Sequence, residues 1–147
     1  MNLSQVVRSG ALFAINLLFL MVWGFAGLGK LHSGFPPSWQ EKFANTFLAT
    51  FPGVKGAFWL VAAAEVAAFL LAAAALLRGE FLRLRPPACL VLVLMGSLYV
   101  FVMLAFGLFL TSDFTGTFQM FVYFGVTLLA LQYASQPKPA PQEAHPR

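Results

Sequence analysis

Glu65 sits inside an apolar run from Val54 to Leu77, with no other charge between Lys55 and Arg78. A carboxylate at hydrocarbon depth is costly and usually has a partner or a task. Three chemistries are open to it. Without a cation, burial favours the neutral acid and allows proton exchange. Beside a cation it forms an ion pair that ties helices together. In a cleft it offers a hydrogen-bonding contact to a small molecule. The groups that could join it are few. Asn16, Trp23, Gly27 and Lys30 follow one another at offsets of seven, four and three, which lays them along one helical face. Gln119, Tyr123 and Thr127 recur every fourth residue, and Gly96, Tyr99, Met103 and Gly107 share a further face. Such stripes are expected to turn inward, because lipid satisfies no hydrogen bonds. Glu65, Lys30, Tyr99, Gln119, Tyr123, Asn16 and Trp23 therefore form the candidate ligand-binding set, and interhelical glue is the alternative use of the same groups. No residue stands out as catalytic. Depth separates Lys30 from Glu65. Glu65 lies ten residues past Lys55, about 15 Å at helical rise, whereas Lys30 belongs near the outer end of its own helix. A direct pair then requires a tilted or displaced first span.

The remaining reactive side chains are sparse. Cys89 is the only cysteine, so no disulfide, CxxC pair or iron–sulfur cluster can form within the chain. It stands at the start of an apolar run, where a helix terminus could activate it, or it is a small packing residue. The two histidines fall in a loop (His32) and near the end of the chain (His145). Neither a haem site inside the helices nor any metal site is expected. The chain supplies no cofactor of its own, and a bound quinone stays open.

The elements that must position these groups follow from composition. Of 147 residues, 60% are hydrophobic and 10% charged, and the mean hydropathy is +0.80. This is the profile of an integral membrane protein. A bilayer core of roughly 30 Å needs about 20 helical residues per crossing. Four runs qualify: Gly10 to Leu31, Val54 to Leu77, Pro87 to Leu110 and Phe114 to Tyr133. The fold class expected is an all-α integral membrane protein, an antiparallel bundle of four transmembrane helices occupying residues 1–133. The first run is too long for the core of a secretory signal. The second is crowded with alanine, and Ala64, Ala68 and Ala72 form a face that lets a neighbouring helix approach closely.

Between the first two spans, Pro36 and Pro37 precede Ser38 and Glu41, which are spaced as a capping box. Trp39, Phe43, Phe47 and Phe51 then recur every fourth residue. This predicts a short interfacial helix over about 39–48, serving as a surface anchor or as a lid. Pro86 and Pro87 suit the start of the third helix, and Asp113 suits the cap of the fourth. Residues 134–147, with Pro137, Pro139, Pro141 and Pro146, read as a disordered tail. Charge orients the bundle. Arg8, Arg78, Arg83, Arg85, Lys138 and Arg147 fall on one side, and Lys30, Lys42 and Lys55 on the other. Both termini are therefore expected in the cytoplasm. The net charge of +4 is spread between spans, so nucleic acid is not an expected partner.

The stretch GFAGLGKL from Gly24 to Leu31, the proline-rich link after it, and AAAEVAAFLLAAAALLRG around Glu65 resemble the DoxX family of small bacterial membrane proteins. The resemblance runs from about Arg8 to Tyr133. Lys30 and Glu65 match its recognisable positions: the Gly-x-x-Lys end of the first span and the acid of the second. It implies a four-helix protein of the bacterial inner membrane with both termini inside. Members and their DoxD relatives are linked to thiosulfate:quinone oxidoreductase or to membrane complexes coupling thiol and oxidant defence. By that analogy the chain is a quinone-associated or scaffold subunit of an oxidoreductase complex, beside a soluble or membrane partner that supplies the electrons. Two other readings use the same residues: a non-enzymatic carrier or binding protein for a small lipid-soluble metabolite, and a structural module recruiting partners through the Arg78 to Arg85 loop. In each case the lipid bilayer is the first partner, and self-association of the chain stays open.

Overall fold

The computed structural model describes residues 3–51, 53–82 and 87–136. Among these residues every regular element is helical. In chain order they are α1 (Leu3–Ser33), the short α2 (Pro37–Lys42), α3 (Val54–Leu77), α4 (Ala88–Leu110) and α5 (Phe114–Ser135). All but α2 are long and apolar enough to cross a membrane. α3 has the expected bounds. α1 starts at Leu3 rather than Gly10, and its 31 residues span about 46 Å at helical rise. It therefore exceeds the hydrocarbon core. α4 packs against both α3 and α5, and α1 packs against α3.

Local chemistry sets the helix ends. α1 stops at Gly34, whose φ of 69° suits glycine. α3 stops at Gly79, at φ 60°, with Arg78 and Gly79 amides returning to Ala74 and Leu76 carbonyls. The tight link from α4 to α5 turns through Ser112 at φ 56°. Asp113 then caps α5 as expected, accepting from the Gly116 amide at 2.9 Å.

Two expectations are corrected. The interfacial helix over 39–48 is only Pro37–Lys42, followed by turns and a 3₁₀ turn at Phe47–Ala49. Ser38 does not cap it. Pro36 holds the cap position with no side-chain bond, and Pro37 opens the helix. The aromatic stripe breaks because Phe43 turns down into the protein over Gly107, while Phe47 and Phe51 stay 56% and 79% exposed. Thr46 and Thr50 each donate a hydroxyl hydrogen bond to a carbonyl three residues back, at 2.8 Å, favouring turns over a continuing helix. In the second correction, α5 runs on to Ser135, past the expected start of the tail. The tail from Pro137, and Arg83, Arg85 and Pro86, lie outside the described residues.

The core is built from small residues on α3 (Ala62, Ala68, Ala72 and Ala75) meeting Leu12, Phe19 and Trp23 of α1 and Val93 and Leu94 of α4. α5 contributes only Thr127 and Ala134 to the buried set.

Candidate functional site

Lys30 and Glu65 meet directly. The Lys30 ammonium stands 2.7 Å from both Glu65 carboxylate oxygens, with the lysine side chain 20% exposed and the glutamate 1%. The depth difficulty disappears for two reasons. Contacts between α1 and α3 run in opposite chain order, Asn16 reaching Ala72 and Lys30 reaching Glu65. Helical side chains lean toward their own N-terminus, so Lys30 leans into the bundle and Glu65 leans out to meet it. The backbones also come very close: a Cβ on Gly27 would lie 3.0 Å from the Val66 nitrogen and 3.3 Å from the Glu65 carbonyl carbon. Only glycine permits this approach. Just there, Gly24–Leu28 is wound as a π-helix. This changes the register between Trp23, which faces α4, and Lys30, which faces α3.

The other members of the α1 stripe also turn inward. Asn16 donates its amide to the Ala72 carbonyl at 3.2 Å. The Trp23 indole donates to the Ser97 hydroxyl at 2.7 Å, and Ser97 donates to the Val93 carbonyl at 2.7 Å. Trp23 packs against Phe101, with ring centroids 5.3 Å apart. Ser97 was not anticipated, yet a buried indole needs an acceptor, and Ser97 is the one small hydroxyl in the third apolar run.

Tyr99, Gln119 and Tyr123 do not join this network. Tyr99 is 69% exposed and Tyr123 48%, and Gln119 is exposed as well. Spacing places residues on one face without saying which face turns in. α5 docks through Thr127 and Ala134, which leaves Gln119 outside. Tyr123 lays its ring against Phe101, with centroids 5.8 Å apart. The cleft expected around Glu65 is thus closed: its carboxylate is wrapped by Lys30 and helix backbone.

At the other end of α3 and the start of α4, Glu80 does what the basic loop did not suggest. Its carboxylate accepts from the Cys89 amide at 2.9 Å and the Leu90 amide at 3.2 Å, capping α4 from the side. Cys89 is buried, and Arg78 donates to its sulfur at 3.2 Å. Among the described residues no cluster of His, Cys, Asp and Glu could hold a metal ion.

Ligand-sized space lies away from Glu65. A cavity of about 380 Å³ opens between the α2 segment, the first two turns of α3, the last turns of α4 and Met120 of α5. Trp39, Phe43, Leu60, Val61 and Met103 shape its wall, and Lys42 stands at its edge. Neither Lys30 nor Glu65 lines it. Phe58, buried beneath, fixes the α2 segment through edge contacts with Phe35 and Trp39 at 5.4 and 5.2 Å. Lys42 faces Asp113 at 3.7 Å. No protein-family model, curated protein or solved structure matches this chain.

Proposed function

We propose that the chain is an antiparallel four-span bundle of the bacterial inner membrane, with both termini cytoplasmic, that binds a small lipid-soluble molecule at its non-cytoplasmic end. The observation that carries this is the apolar cavity of about 380 Å³, a size typical of small-molecule sites, with the α2 segment forming one wall. Six Lys and Arg against three support the orientation. In this reading Lys30, Glu65, Asn16, Trp23 and Ser97 are the scaffold that holds α1, α3 and α4 in register, and binding belongs to the cavity. The resemblance to DoxX proteins supports a role beside an oxidoreductase partner. That partner would supply the electrons. Mass spectrometry of small molecules retained through purification in mild detergent tests the reading. A lipophile near one per chain, lost in Ala57→Phe, which fills the cavity, is the expected result. A chain that carries no lipophile and is unchanged by the substitution would sink it.

A further inference from the structure

The class of ligand can be narrowed, on the reading that the cavity is the binding site. Its wall is hydrocarbon and aromatic, and its one charged lining residue is Lys42, in the last turn of α2. An ammonium carries three donors. Asp113 stands 3.7 Å away, beyond hydrogen-bond range, and its other oxygen is committed to the Gly116 amide. Among the described residues nothing accepts a hydrogen bond from Lys42. A quinone is neutral and brings no counter-charge to Lys42, whereas an anionic head does. A two-chain lipid would leave one chain outside a space of this volume.

We infer that the cavity takes a single-chain amphiphile with an anionic head, its carboxylate or phosphate on the Lys42 ammonium and its chain between α3 and α4. Charge complementarity at the edge and the hydrocarbon wall behind it together select this class. Asp113 opposes it, because its carboxylate competes for Lys42 and repels the head.

The test uses the full chain in nanodiscs of neutral phosphatidylcholine, reading Trp39, which lines the cavity. Brominated probes quench it: a dibrominated long-chain fatty acid, its methyl ester, and a brominated lysophosphatidate. Saturable quenching is expected from both anions at roughly tenfold lower concentration than from the ester, as a charge-assisted contact warrants, and Trp39→Phe removes the signal. The tighter of the two anions distinguishes a free fatty acid from a phosphate-headed lipid. Lys42→Gln should bring the anions to the level of the ester. Asp113→Asn, which keeps a capping side chain, should tighten them about threefold. Ala57→Phe, with Met103→Phe as a second filler should the first fail to fold, should abolish saturable quenching by all three. Equal binding of acid and ester, unmoved by Lys42→Gln, overturns the anionic-head inference while leaving the cavity reading intact. Quenching that never saturates and ignores both fillers overturns the cavity reading itself.

Discussion

Lys30 holds both carboxylate oxygens of Glu65 at 2.7 Å, joining the last turns of the first long helix to the middle of the second. Two charges removed from water repay their desolvation only while they keep each other. Substituting one strands its partner, and substituting both does not.

Glu65→Gln or Lys30→Met alone is therefore expected to destabilise the fold by about 3 kcal/mol, measured by unfolding in detergent micelles. The double variant should lose clearly less than the sum of the two. Strictly additive losses would mean that the pair is not coupled. Ligand retention in the folded fraction of either single variant should be unaltered, because neither residue lines the cavity.

Two glycines two residues apart, on different faces of α1, should respond oppositely. A Cβ on Gly27 meets α3 backbone at 3.0 Å, so Gly27→Ala must push α1 away and lengthen the Lys30–Glu65 contact, at a cost of about 1–3 kcal/mol. A Cβ on Gly29 meets nothing within 4 Å. Gly29→Ala should leave stability equal or raise it by up to about 1 kcal/mol through helix propensity. Parallel thermal melts of the two variants compare them directly.

The Trp23–Ser97 bond ties α1 to α4. Ser97→Ala removes the acceptor of a buried indole and should cost about 1 kcal/mol. In a background with Trp39→Phe and Trp59→Phe, the emission of Trp23 should shift to shorter wavelength. An unmoved spectrum would show that the indole has another acceptor.

Glu80 caps α4 through two amides. Glu80→Ala should cost about 1–2 kcal/mol and speed hydrogen exchange at Cys89 and Leu90. Glu80→Gln, which retains an acceptor oxygen, should lose less. Equal exchange in all three proteins would remove Glu80 from this role.

The long apolar runs were readable because span length and hydropathy are local properties, and α3 falls on its expected bounds. The α1 stripe was readable too, since Asn16, Trp23 and Lys30 differ sharply from their lipid-facing neighbours. What escaped depends on the partner helix. The inward face of α5 is chosen by its fit against α4, so Thr127 turned in while Gln119 and Tyr123 stayed out. The pairing of Lys30 with Glu65 depends on the lean of side chains in opposed helices, which a count of residues from each end ignores. The α2 segment was misjudged because Phe43 gains more by burial over Gly107 than by staying in a helical stripe. The cavity is assembled from two stretches far apart in sequence, 39–61 and 103–120, and neither alone carries a signature of it.

α5 packs mainly on α4, so a surrounding bilayer would be part of the restoring force on this helix. Thr127 and Ala134 are its only fully buried side chains, and Phe118, Phe121, Val126 and Leu129 stand exposed, an apolar face that acyl chains would cover in a membrane. Its tilt and its seating on α4 would then follow the thickness of the surrounding hydrocarbon. Met120, which α5 contributes to the cavity wall, would move with it, tying the shape of the cavity to lipid composition as well as to sequence.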